Sequence, residues 1–383
     1  MSNVLAAAKP SIAVDRRIRV MIVDDAIVAR RLLARWIAAE PDMMVAACLC
    51  TGRQAVDKVE ECDPDVVVLD VDMPELDGIA ALPLLLRKRR DLVVIMASTL
   101  TRRSAEVSLR ALALGAADYV PKPEAAPDAA TSAAFQRELI DKIRHLGRRG
   151  RPIHPEKTAA AISRPVAFME RTPPTVGESF KLRPFAPSIP RALLIGASTG
   201  GPQALTSLVG QIGATMERAP VLITQHMPPT FTTVLAEHLT RVCGRSVREA
   251  EHEEPVVAGS IYVAPGGRHM RVRRGRDGAP TIMLGDDPPI NFCKPSVDPM
   301  LSTAADVWGA AGLALILTGM GADGARGAAD IAAAGGSVIA QDEASSVVWG
   351  MPRAVAQAGL CSAVLPLSQV AARINRLFAG DRP

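Results

Sequence analysis

Short apolar or β-branched runs alternate along this chain with longer stretches in which apolar residues recur at helical spacing. In the N-terminal part the runs fall at 18–23, 44–48, 66–69, 92–97 and 118–120, with helical stretches at 26–39, 52–62, 77–89, 102–115 and 132–146. In the first of these helices Val28 and Leu32, and Leu33 and Ile37, recur at i,i+4, the spacing that lines one helix face. Five strands interleaved with five helices predict a doubly wound parallel sheet. From 147 to about 190 the pattern stops and prolines recur among Arg, Ser and Thr, a composition that buries too little apolar surface to fold and predicts a semi-extended linker. A second α/β region follows, with strands at 192–195, 221–224, 261–263, 270–272, 281–284, 313–317 and 337–340 and helices near 202–212, 231–241, 298–310, 323–334 and 368–378. Its middle part, 261–284, predicts an inserted antiparallel hairpin. The expected organisation is a disordered leader at 1–17, a first domain at 18–146, a linker at 147–188 and a second domain at 189–380.

Composition narrows the picture. At 383 residues two domains are expected, and 48% apolar residues suffice for two cores. The net charge of +4 is small for this length. Basic runs at 87–90 and 148–151 suit solvated helix ends and linkers, so no nucleic-acid partner is expected. The six cysteines form no CxxC pair and no metal-ligand spacing, which suits a reducing compartment. No run approaches the roughly 18 apolar residues of a membrane span, and the start of the chain lacks a signal-peptide core. The expectation is a cytoplasmic protein without membrane insertion.

Asp24 and Asp25 directly follow the first predicted strand, Asp70 ends the third, Ser98 the fourth, and Lys122 the fifth. The carboxyl ends of parallel strands share one edge, where ligands bind. Three carboxylates converging there repel one another unless a divalent cation sits among them, and Mg²⁺ suits oxygen ligands and bridges to phosphate oxygens. The set can hold a phosphoryl group on a carboxylate nucleophile, with metal and lysine offsetting its charge. The bland reading of Asp24 and Asp25 is a cap on the next helix. Val23-Asp24-Asp25, Leu69-Asp70-Val71-Asp72-Met73-Pro74 with Asp77-Gly78, and Tyr119-Val120-Pro121-Lys122-Pro123 resemble response-regulator receiver domains over about 18–146. The resemblance implies a flavodoxin-like fold, Asp70 as phosphoacceptor, Mg²⁺ on Asp24, Asp25 and Asp70, and a histidine kinase as phosphodonor. Ser98, Tyr119 and Lys122 are then the switch residues, with Tyr119 open to a second reading as a packing residue.

In the second region Gly196-Ala197-Ser198-Thr199-Gly200 fits G-x-S-x-G between a strand and a helix, a turn that exposes a serine beside helix N–H groups. Of six histidines, His226 follows a strand's carboxyl end on the edge that carries Ser198. Asp323 follows the 313–317 strand in a glycine loop; it is a candidate to orient His226 and equally a candidate helix N-cap. Ser198, His226 and Asp323 are therefore the expected catalytic residues. Thr199 is expected either to support His226 or to cap the helix.

The order Ser…His…Asp differs from that of α/β-hydrolases. With Gln225-His226-Met227-Pro228, Ala264-Pro265-Gly266 and Leu317-Thr318-Gly319-Met320-Gly321-Ala322-Asp323-Gly324, it closely resembles the chemotaxis protein-glutamate methylesterase family over about 190–378. The resemblance implies hydrolysis of glutamate methyl esters and deamidation of glutamines on chemoreceptors, with the Met320 N–H helping to hold the oxyanion. It implies no cofactor for the ester chemistry, and a monomer is expected. Two other readings stay open here: a non-catalytic phosphosignalling adaptor, and an esterase of another substrate in a non-chemotactic pathway.

Overall fold

The structure, a computed structural model, describes residues 17–122, 129–148, 180–276 and 278–381. The N-terminal domain contains β1 (Ile18–Val23), α1 (Ile27–Ala38), β2 (Met43–Leu49), α2 (Gly52–Cys62), β3 (Val66–Asp70), α3 (Gly78–Lys88), β4 (Val93–Thr99), α4 (Arg102–Ala113), β5 (Asp118–Lys122) and α5 (Ala129–Gly147). All strand pairs are parallel in the order β2-β1-β3-β4-β5, the flavodoxin-like arrangement. The central strand β3 is buried throughout, as its unbroken apolar run requires between two helical layers. Thr51, Asp77 and Thr101 accept from the N–H groups of Gln54, Ala80 and Ser104, so three of the helices start where a capping side chain stands.

The C-terminal domain runs β6 (Ala192–Ala197), α6 (Gly201–Val209), α7 (Gly213–Arg218), β7 (Val221–Gln225), α8 (Phe231–Cys243), β8 (Val247–Glu249), β9 (Ile261–Val263), β10 (His269–Arg274), β11 (Pro280–Gly285), α9 (Val297–Trp308), β12 (Gly312–Ile316), α10 (Ala325–Ala333), β13 (Ser337–Gln341), α11 (Met351–Gln357), β14 (Ala363–Leu365) and α12 (Leu367–Ala379). Seven parallel strands lie in the order β14-β13-β12-β6-β7-β9-β8, and β10 and β11 form a separate antiparallel pair. The inserted hairpin is thus β10–β11, while β9, expected within it, pairs in parallel with β7 and β8. Edge strands β8 and β14 have three residues each, too few to show an alternation, and the pattern of the sequence passes over them along with α7 and α11.

Of the expected leader, residues 1–16 lie outside the described residues, as do 149–179 of the expected linker. Residue 147 of that linker ends α5 instead, and residues 180–188 are laid on the C-terminal domain rather than extended in solvent. Phe180 and Phe185 pack against its two apolar layers. Arg183 N donates to Cys361 O at 2.8 Å, and Ala186 N to Ser337 Oγ at 2.9 Å. Two aromatic anchors in a proline-rich stretch are enough to tie it down.

The domains meet through α4, β5 and α5 of the first and α6, α8 and the 319–321 and 347–350 loops of the second. Tyr119 stacks on Phe231, with ring centroids 4.8 Å apart. Gln203 Nε2 donates to Ala116 O at 3.2 Å, and Arg102 Nη2 reaches both Glu237 oxygens at 2.7 Å. Val348 is buried in one apolar cluster with Val120, Phe135 and Leu139, and Met320 and Val347 pack against that cluster.

Candidate active site and acidic cluster

Strands β6, β7 and β12 are adjacent, and the candidate catalytic residues leave their carboxyl ends. Ser198 follows β6 in a turn completed by Gly200 at φ 76°. Its N–H donates to Thr318 O at 3.0 Å, and its carbonyl accepts from Gln225 Nε2 at 3.0 Å. His226 N donates to Ala197 O at 3.1 Å, which ties the histidine's backbone to the residue before the serine. Gly319 is required by close approach: a Cβ there would lie 2.8 Å from Ser198 Cβ and 2.4 Å from Met351 Sδ.

His226 Nε2 donates to Asp323 Oδ2 at 2.7 Å. Asp323 does not cap the helix after it. Helix α10 starts at Ala325 with no side-chain cap, and the carboxylate caps α9 instead. Val297 N reaches Oδ2 at 2.6 Å, while Ser296 Oγ and Asp298 N reach Oδ1 at 2.7 and 3.3 Å. Burial opposes its charge, but the hydrogen bonds from His226, Val297 and Ser296 prevail and bring the Asp323 pKa down to about 2. The start of α9 favours a negative charge for the same reason. His226 shows the complementary balance. Burial works against the imidazolium, yet the neighbouring Cys293 sulfur and Asp323 outweigh it and push its pKa up to about 10.

Ser198 Oγ makes no hydrogen bond with His226 in this structure. The free ring atom, Nδ1, faces Cys293 Sγ at 3.3 Å. Thr199 takes neither of its two expected roles: Gly200 is the N-cap of α6, with no side-chain bond, and the Thr199 hydroxyl is bonded to no partner among the described residues. Its carbonyl instead accepts from Thr318 Oγ1 at 2.8 Å. The Met320 N–H is likewise donated to no group among the described residues. Segment 290–298, which holds both His226 and Asp323, is a contribution that sequence reasoning missed. Only the run of Ser296 and Asp298 before a helix signalled it.

In the N-terminal domain, one oxygen from each of Asp24, Asp25 and Asp70 lies within 4.8 Å of the others. Lys122 Nζ bridges Asp24 Oδ2 at 2.6 Å and Asp70 Oδ1 at 2.8 Å. Asp24 does not cap α1, whose N-cap is Ala26 without a side-chain bond. Burial raises the Asp70 pKa, against the pull of Lys122, and the Asp24 charge adds to the rise. Gly78 admits no side chain, because a Cβ would sit 2.0 Å from Asp70 O. An all-carboxylate donor set on one strand edge fits a hard divalent cation such as Mg²⁺. Ser98 Oγ is bonded to Ser108 Oγ at 2.8 Å. Tyr119 is buried at the domain boundary, as its packing reading expects.

Comparison with known proteins follows this division. Residues 193–374 match the CheB methylesterase family, and residues 20–133 match the response regulator receiver domain. A Nitrobacter hamburgensis protein named protein-glutamate methylesterase/protein-glutamine glutaminase is 60% identical over 364 residues, 95% of each chain. The chain belongs to this methylesterase family. A Rhodopseudomonas palustris member bearing the same name is 59% identical over 371 residues, again 95% of each chain. The solved CheB methylesterase catalytic domain of Thermotoga maritima is 37% identical, covers 49% of this chain and 98% of that one, and superposes with a TM-score of 0.47. In this methylesterase, no helix among the described residues is long and apolar enough to cross a membrane.

Proposed function

We propose that this chain is a phosphorylation-activated protein-glutamate methylesterase and protein-glutamine glutaminase acting on chemoreceptors in the cytoplasm. The observation that carries the ester chemistry is the His226–Asp323 hydrogen bond of 2.7 Å beside the Ser198 turn. With Nε2–H held by Asp323, Nδ1 is the ring atom left to act as base.

Ser198 Oγ attacks the side-chain carbonyl carbon of a glutamate methyl ester while His226 Nδ1 takes its proton. N–H groups beside the serine, that of Met320 among them, face the developing oxyanion. The imidazolium returns its proton to the leaving methoxide, and methanol departs. Water then attacks the acyl-enzyme, giving its proton to Nδ1, and the Ser198 hydroxyl leaves with that proton to free the glutamate. A glutamine amide follows the same course with ammonia as leaving group. Asp323 fixes the tautomer and offsets the imidazolium charge.

Control rests on the first domain. Asp70 is the phosphoacceptor, and Asp24, Asp25 and Asp70 would hold Mg²⁺. The bound cation supplies charge compensation for the incoming phosphoryl oxygens. Lys122 lies between Asp24 and Asp70, placed to pair with a phosphoryl group. The face formed by α4, β5 and α5 packs on the loops that flank Ser198, so the unphosphorylated receiver restricts access to the site. Phosphorylation by a histidine kinase weakens that packing, and a few kcal/mol of differential interface energy suffice.

The test is methanol release from methylated chemoreceptor by the full chain, with Ser198→Ala as the blank. Release that persists in the variant removes Ser198 as nucleophile. Labelling by acetyl phosphate with Mg²⁺ should be lost in Asp70→Asn, and retained labelling moves the phosphosite.

A further inference from the structure

The loop between β11 and α9 reaches both members of the His226–Asp323 pair. Its distal part donates Ser296 Oγ, Val297 N and Asp298 N to Asp323. Its proximal part is a tight turn, in which Ile290 N donates to Cys293 O at 3.1 Å and Cys293 N to Ile290 O at 2.8 Å. Between them Asn291 stands at φ 51° and Phe292 at φ 63°. Left-handed backbone is tolerated by Asn but unfavourable for a residue such as Phe, so contacts outside the turn must hold it.

Two such contacts are present. At the base of the turn, Cys293 Sγ lies 3.3 Å from His226 Nδ1. At its tip, the guanidinium of Arg137, on α5 of the receiver, sits 4.5 Å from the Phe292 ring centroid. Phe292 is otherwise 83% exposed and has little packing within its own domain. A receiver side chain thus grips a strained turn at Phe292, whose next residue, Cys293, faces the catalytic base.

We propose that Cys293 is a positioning residue that occupies His226 Nδ1 while the receiver is docked, withholding that atom from Ser198, and that the Arg137–Phe292 contact keeps it there. The proposal rests on the esterase reading above. Nε2 is already committed to Asp323, so the Cys293 sulfur and the serine hydroxyl compete for the one remaining ring nitrogen, Nδ1. A thiol is a weak hydrogen-bonding partner, so a hydroxyl can displace it once the turn is released. Undocking the receiver removes the Arg137 contact, relieves the turn and frees the base. Receptor access and base readiness are then governed by one movement.

The test uses the full chain. Cys293→Ala should raise methanol release without phosphodonor by about fivefold, the equilibrium weight of one ordinary hydrogen bond. The phosphodonor-stimulated rate should stay within about twofold of wild type, since the contact is already absent in that state. Cys293→Ser, whose hydroxyl can take the same place, should restore the wild-type ratio of stimulated to unstimulated rates. Arg137→Ala should raise the unstimulated rate, and Arg137→Ala/Cys293→Ala should raise it no further, because both substitutions remove one device. An unchanged ratio in Cys293→Ala, a parallel fall in both rates, or multiplicative effects in the double variant would overturn the proposal.

Imidazole ¹⁵N resonances give a reading independent of turnover. The His226 Nδ1 signal of the unphosphorylated chain should move in Cys293→Ala and in Arg137→Ala, and a signal unmoved in both overturns the proposal. If the signal moves but no methanol is released by wild type, the positioning role stands and the substrate reading fails.

Discussion

Tyr119 and Phe231, one from each domain, lie with ring centroids 4.8 Å apart and planes 10° from parallel. Each ring is buried, so the stack joins two hydrophobic cores rather than two surfaces. An aromatic pair contributes about 0.5–1.5 kcal/mol beyond the area it buries. Tyr119→Leu keeps the apolar bulk and removes the stack. It should raise unstimulated methanol release by roughly 2- to 10-fold with little change in the stimulated rate. An unchanged basal rate would mean that the stack does not contribute to restraint.

Asp323 gives a prediction about acid stability. Its pKa is brought down to about 2 from the ordinary carboxyl value of 3.8. A carboxyl group with a depressed folded-state pKa contributes stability above its unfolded pKa and loses it as pH falls through the folded one. The contribution, about 2–3 kcal/mol, should therefore be complete above pH ~5 and fade between about pH 4 and pH 2. Urea unfolding of wild type and Asp323→Asn should show a stability gap at pH 6 that narrows across this window. At neutral pH the same variant should lose turnover by on the order of 10⁴-fold, as expected when the base is left in the wrong tautomer.

His226 sets the pH dependence of the restrained enzyme. Against the opposing effect of burial, Cys293 and Asp323 push its pKa up to about 10, and only the neutral imidazole can accept a proton from Ser198. Unstimulated methanol release should therefore climb with pH through neutrality toward about pH 10, measured against Ser198→Ala to remove alkaline hydrolysis of the ester. A rate already level at pH 7 would show a neutral base in the docked state.

The segment ahead of β6 bears on where the catalytic domain begins. Phe180 and Phe185 pack against its core layers. A chain starting at 180 should be more stable to urea than one starting at 189, by about 2 kcal/mol or more if each ring retains most of its burial. Equal stability would make these residues linker after all.

Most of the fold was legible because its strands are unbroken apolar runs and its helices carry apolar residues at helical spacing. The strand-end positions of Asp24, Asp70, Lys122, Ser198 and His226 followed from that pattern alone. What stayed hidden depends on contacts between distant segments. Edge strands β8 and β14 are shorter than one full alternation. The capping of α9 by Asp323 joins residues 25 to 27 apart in sequence, where local pattern pointed to the helix immediately following. Cys293 looked like one of several scattered thiols until the turn at 290–293 placed it on His226. The face that the receiver presents to the esterase follows from no motif in either domain, since it is a matter of shape between two finished surfaces.

Asp70 as phosphoacceptor and Ser198 as nucleophile stand 128 positions apart in the sequence, and the most direct test reads both together. Methanol release from methylated chemoreceptor should be measured for wild type and Asp70→Asn, with and without a small-molecule phosphodonor and Mg²⁺. The donor should stimulate wild type and leave Asp70→Asn at its basal rate. Equal stimulation of both proteins, or none of wild type, would contradict control of Ser198 through Asp70.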